Sequence, residues 1–124
     1  MKARILLVDD TEFYRKTYVN KLSTEGYLVT TSTNGVEALK ALIQDKPDLI
    51  LLDLVMPILD GFKVLASIKA DPNLASIPVV VFSAKGATDE ITKAISAGAS
   101  SFLIKASTTP NKVVEKIKQV LGHQ

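Results

Sequence analysis

Acids, a hydroxyl and an amine recur in one setting along this chain: each closes a short apolar run. Ile5–Val8 ends in Asp9-Asp10, Leu49–Leu52 in Asp53, Val79–Phe82 in Ser83 followed by small Ala84, and Phe102–Ile104 in Lys105. Drawn together, three carboxylates repel, two unit charges ~4 Å apart costing about 4 kcal/mol at an effective dielectric near 20. Such a cluster keeps a proton or binds a cation. Cysteine is absent and the single histidine is His123, so the donors are oxygens and suit a hard ion. Mg²⁺ is satisfied by one or two carboxylates, waters and a phosphate. A carboxylate is also a nucleophile that yields an acyl phosphate, and phosphoryl transfer mainly requires that the equatorial oxygens be held and neutralised. A metal, the Lys105 amine and the Ser83 hydroxyl meet that requirement, and Ala84 leaves the approach open. Alone, Asp9 or Asp10 reads as a helix cap, Ser83 as a turn hydroxyl and Lys105 as a solvated strand end. Their shared placement gives them joint meaning.

The elements that must position these groups alternate strand and helix five times. Strands are expected at Arg4–Val8, Leu28–Ser32, Asp48–Asp53, Val79–Ser83 and Ser101–Lys105. The runs ending in functional groups read as strands buried on both faces, the mark of a parallel sheet between helix layers. The first helix, Glu12–Glu25, carries Tyr14, Tyr18 and Leu22 on one face, and Gly26 suits a left-handed cap. Asn34 and Glu37 resemble a capping box for a helix running to Asp45, with Val36, Leu39 and Ile43 expected inward. Helix three, Gly61–Ala70, is expected to bury Phe62, Leu65 and Ile68, and helix four spans Asp89–Ala97 before Gly98. Thr109-Pro110 starts the last helix, with Val113, Ile117 and Val120 inward. This is an α/β, doubly wound sheet, whose ligands sit beyond the carboxyl ends of the strands.

At 124 residues, 47% hydrophobic and 23% charged, the chain is expected to be one domain over residues 1–124, burying roughly two-thirds of its unfolded surface. No apolar stretch reaches the roughly 20 residues that span a bilayer, and Met1–Ile5 leads into a strand without signal-peptide character. A cytoplasmic protein without membrane contact is expected. The net charge of +2, from 15 basic and 13 acidic residues, is scattered and gives no reason to expect nucleic-acid binding. Lys112, Lys116 and Lys118, interrupted by Glu115, read as a solvated helix face.

Val8-Asp9-Asp10, the segment Asp53-x-x-Met56-Pro57-x-x-Asp60-Gly61, Val81–Ala84, Gly98-Ala99 and Phe102–Lys105 together resemble the receiver domain of two-component response regulators, along essentially the whole chain. The resemblance implies a flavodoxin-like (βα)₅ sheet of five parallel strands in the order 2-1-3-4-5. It implies that Asp53 is the phosphoacceptor for a sensor histidine kinase or phosphotransfer protein. Asp9, Asp10, Asp53 and the backbone carbonyl of Val55 would hold Mg²⁺, and Ser83, Ala84 and Lys105 would bind the phosphoryl group. Ser83 and Phe102 would form the switch pair, reporting through helix four, strand five and helix five to an unidentified output partner or domain. A monomer or a weak, phosphorylation-dependent dimer is expected. The domain would act as a switch and not as a metabolic enzyme, its chemistry confined to its own phosphotransfer and dephosphorylation.

Two departures from the family pattern matter. Ala106 stands where the active-site lysine is commonly followed by proline through a cis bond; a cis bond before a non-proline costs about 3 kcal/mol, so a trans bond and a reshaped loop over Ser107–Thr109 are expected. Val55 and Lys85 occupy positions that tune hydrolysis in relatives, and an apolar Val55 with a cationic Lys85 suggests a long-lived phosphorylated state. The competing functions are a phosphorylation-independent scaffold, disfavoured by the intact Asp10, Asp53, Ser83 and Lys105, and a nucleotide-binding or aspartyl-nucleophile enzyme. Asp9-Asp10-Thr11-Glu12 is not a glycine-rich phosphate loop, and no cap insertion follows Asp53.

Overall fold

The computed structural model of the protein describes residues 2–84 and 86–122. Among them β1 (Arg4–Val8), β2 (Leu28–Ser32), β3 (Leu49–Leu52), β4 (Val79–Ser83) and β5 (Ser101–Ile104) alternate with α1 (Glu12–Thr24), α2 (Gly35–Gln44), α3 (Gly61–Ala70), α4 (Thr88–Ser96) and α5 (Pro110–Leu121). All strand pairings are parallel, and the order is β2-β1-β3-β4-β5. The chain steps outward from β1 to β2, then crosses back to β3. The crevice between the carboxyl ends of β1 and β3 is therefore the topological switch point.

Because side chains alternate along a strand, each central strand feeds two cores. Leu6, Val8, Ile50, Leu52, Val79 and Val81 pack with α2, α3 and α4; Ile5, Leu7, Leu49, Leu51, Val80 and Phe82 pack with α1 and α5. β1, β3 and β4 are buried almost throughout, as apolar strands covered on both faces must be. β5 differs from the expectation of a buried strand: all four residues are half-buried, because it is the sheet's last strand and has one neighbour.

Helix boundaries follow local chemistry. Asn34 Oδ1 accepts the Glu37 N–H at 2.9 Å, and Glu37 reaches back to the Thr33 N–H at 2.7 Å, one residue before the cap. The bonds from the Thr33 N–H and hydroxyl hold the Glu37 carboxyl below its ordinary pKa. Asp60 and Thr109 cap α3 and α5 in the same way, and Gly26 takes the left-handed φ of +96° that ends α1. The expected inward face of α2 is corrected. Gly35, Ala38 and Leu42 are buried, whereas Val36 and Ile43 are 40% and 83% exposed and Leu39 is half-buried. The phase is set at Gly35, where a Cβ would lie 2.6 Å from the Leu59 carbonyl oxygen: only a glycine lets the helix start this close to the β3–α3 loop. Phe62 of α3 and Val120 of α5 are half-buried at the rims of the two cores.

Candidate functional site at the carboxyl edge of the sheet

Strand register brings the polar groups to one level. Val8 pairs with Leu52, Leu52 with Val81, and Ser83 with Ile104. The next residues, Asp9 and Asp53, are pinned by backbone hydrogen bonds: the Asp9 N–H donates to Ser32 at 3.1 Å, and the Asp53 N–H to Val8 at 3.0 Å. Asp9, Asp53, Ser83 and Lys105 are all buried, while Asp10, Val55 and Ala84 lie at the exposed mouth. Among these, Asp9, Asp10, Asp53 and Lys105 come together at one edge. Lys85 lies outside the described residues. Phe102 is half-buried and packs against the core beneath α3 and α4.

Each acid contributes one oxygen to a cluster in which these atoms lie within 4.8 Å of one another. Asp9 Oδ1 accepts the Thr11 N–H at 2.9 Å and Asp53 Oδ1 the Val55 N–H at 3.1 Å. The other oxygens face Lys105, whose Nζ lies 2.7 Å from Asp9 Oδ2 and 3.2 Å from Asp53 Oδ2. The Asp9 contact is an ion pair off the hydrogen-bonding direction, so Asp9 Oδ2 is buried without a hydrogen bond. Burial raises the Asp53 pKa above its ordinary value; the Val55 N–H and the Lys105 charge oppose this, the Asp9 charge adds to it, and the net shift is upward. For Lys105, burial favours the neutral amine, but the close Asp9 carboxylate, the Asp53 charge and the hydrogen bond to Asp53 outweigh it and lift the pKa. An all-oxygen cluster with an acid oxygen short of a donor fits a hard divalent cation.

Sequence reasoning missed three features here. The Arg15 guanidinium donates to the Asp9 carbonyl at 2.9 Å and steadies the acidic loop. Lys105 Nζ lies 4.2 Å from the centroid of the Tyr14 ring. Ile58 has φ +73°, and the Leu59 N–H donates to the Pro57 carbonyl at 2.8 Å. That is a γ-turn of the strained kind, unusual for a β-branched residue, and no local motif announced it. Gly61 lies close beneath Asp53: a Cβ there would collide with the Asp53 carbonyl oxygen and lie 2.5 Å from Leu54 Cα. The Lys105–Ala106 bond is trans, as expected, since no described peptide is cis, and Lys105–Ser107 forms a 3₁₀ turn.

A doubly wound sheet with clustered acids and a buried lysine at its switch point defines an α/β domain built to handle a cation or an anionic group at that edge. Residues 5–118 match the response regulator receiver domain, and the chain belongs to that family. It is 43% identical over 105 residues to the response regulator PleD of Caulobacter vibrioides, covering 85% of this chain and 23% of that protein. It is 34% identical over 118 residues to the transcriptional regulatory protein PrrA of Mycobacterium tuberculosis, covering 95% and 49%. The chain thus spans 23% and 49% of the length of these two relatives. The structure of the phosphorylated cyanobacterial phytochrome response regulator RcpA superposes with a TM-score of 0.87 at 32% identity, covering 98% of this chain and 94% of that one. No helix among the described residues is long and apolar enough to cross a membrane.

Proposed function

We propose that this chain is the phosphoacceptor domain of a two-component response regulator, a single unit over residues 1–124 working in the cytoplasm. A phosphoryl group passes from a phosphohistidine of a sensor kinase or phosphotransfer protein to a carboxylate oxygen of Asp53: the P–N bond breaks as the P–O bond forms. Asp9, Asp10, Asp53 and the Val55 carbonyl would hold Mg²⁺, which when bound neutralises charge on the transferring oxygens. Lys105 supplies the fixed positive charge, and Ser83 and Ala84 bind phosphoryl oxygens. A new dianion draws in nearby donors, so Ser83 moves toward it and the Phe102 ring takes the space it leaves. The surface of α4, β5 and α5 then carries the change to an output domain or partner. The domain acts as a monomer or a weak dimer, without direct nucleic-acid contact. Val55 at the mouth and Lys85 tune the lifetime of the phosphoryl group.

The observation that carries this reading is the buried Asp53 carboxylate, 3% exposed, with Lys105 at 3.2 Å and two more acids beside it. Its test is intact-mass spectrometry after incubation with acetyl phosphate. A Mg²⁺-dependent gain of one phosphoryl group, absent in Asp53→Asn, is expected. No gain, with no Mg²⁺ binding, favours a phosphorylation-independent scaffold instead.

A further inference from the structure

We propose that Tyr14 is a positioning residue for Lys105, its ring face completing the seat that holds the ammonium between Asp9 and Asp53. The role rests on the phosphoacceptor reading above. The ammonium has three donors and no acceptor. Two anionic oxygens face it, at 2.7 and 3.2 Å. The Tyr14 ring centroid, 4.2 Å away, provides a third side, inside the ~6 Å over which a ring quadrupole attracts a cation. The Phe82 centroid, at 5.8 Å, extends the same aromatic wall.

The ring is itself fixed. It meets Phe82 edge-on at 5.8 Å and 86°, lies nearly parallel to Tyr18 at 6.4 Å and 18°, and meets Phe13 edge-on at 5.3 Å and 83°. Tyr18 and Phe82 are buried core residues. Both carboxylates change partners when the acids take up a cation and Asp53 takes a phosphoryl group, whereas the ring does not. Tyr14 is therefore the constant element of the seat, keeping the ammonium at the pocket as its anionic partners change.

A packing role depends on the shape of the side chain; a positioning role depends on the electrostatics of the ring at constant shape. The rate of Mg²⁺-dependent phosphorylation by acetyl phosphate is compared for wild type, Tyr14→Phe, Tyr14→Leu and proteins carrying phenylalanines of increasing fluorination at position 14. Tyr14→Phe is expected to stay within about twofold of wild type, and the fluorinated series to slow stepwise to about three- to tenfold, from the range of cation–π strengths. The loss is expected in the maximal rate and not in the half-saturating acetyl phosphate concentration. A flat series, or a Tyr14→Phe protein as slow as Tyr14→Leu, overturns the role while leaving the phosphoacceptor reading intact. A wild type that accepts no phosphoryl group removes both. Should Tyr14→Leu fail to fold, the wild type alone decides by NMR: upfield, ring-shifted Lys105 Hε protons are expected, and unshifted ones overturn the proposal.

Discussion

At the amino ends of β1 and β3, the Arg4 side chain pairs with Asp45 and the Arg4 N–H donates to Asp48 Oδ2 at 2.7 Å. At the carboxyl ends of the same strands, Asp9 and Asp53 share Lys105. Both ends carry acids opposite a base, yet the Arg4 and Asp45 side chains are 43% and 56% exposed, whereas those of Lys105, Asp9 and Asp53 are 6%, 1% and 4% exposed. Water screens the first group, whose side-chain pair is worth at most about 1 kcal/mol. Burial strips water from the second, so each charge there depends on its protein partners. The difference teaches that burial, more than residue type, sets an ion pair apart: the carboxyl edge holds its charges away from water and dependent on one another.

The comparison breaks most visibly at Lys105. Lys105→Met keeps the aliphatic stem but leaves Asp9 and Asp53 buried without their cation, an expected loss of about 3 kcal/mol in metal-free denaturant unfolding. Millimolar Mg²⁺ is expected to restore part of it, because a ligand bound only by the folded state stabilises that state. A Lys105→Met protein as stable as wild type without metal would place the two ends in the same class.

Asp53→Asn sharpens the contrast through pH. The folded Asp53 pKa lies above its ordinary value of 3.8. The stability it contributes is therefore fully present below that value and is lost as pH rises through the folded pKa. At pH 7 the ionised carboxylate costs stability in the metal-free protein, and Asp53→Asn is expected to gain about 1 kcal/mol, with Lys105 still held by Asp9. The gain should vanish as pH falls below the ordinary carboxylate range. A gain that grew toward acid would reverse the sign of the shift.

The smallest effect is expected at the other end. Arg4→Ala should cost under about 1 kcal/mol, and less in molar salt, where the Debye length shrinks to about 3 Å; the backbone bond to Asp48 survives the change. A large, salt-independent loss would show that exposure does not separate the two ends.

Apolar runs and their terminal groups announced β1, β3 and β4, with Ser83 at the end of β4 and Asp9, Asp10, Asp53 and Lys105 close together, because a parallel sheet aligns strand ends whatever the loops do. The phase of α2 was not legible: apolar residues at Val36, Ala38, Leu39, Ala41, Leu42 and Ile43 surround most of that helix, and the contact at Gly35 that chooses among the faces comes from a distant loop. Tyr14 was read only as sharing one helix face with Tyr18 and Leu22, which its spacing supports. Its position beside Lys105 depends on how α1 packs against Phe82 of β4, which no local pattern encodes. The γ-turn at Ile58 is likewise imposed from outside, where the loop must bring Asp60 to cap α3 while Gly61 passes under Asp53.

The carboxyl edge is a phosphoacceptor site only if the phosphoryl group rests on Asp53. Borohydride reduction of the acetyl phosphate-treated protein converts an acyl phosphate to homoserine, and tandem mass spectrometry of its peptides locates the residue. Homoserine at position 53, formed only with Mg²⁺, is the expected result. Phosphate found on Ser83 or elsewhere, with residue 53 unmodified, would contradict it.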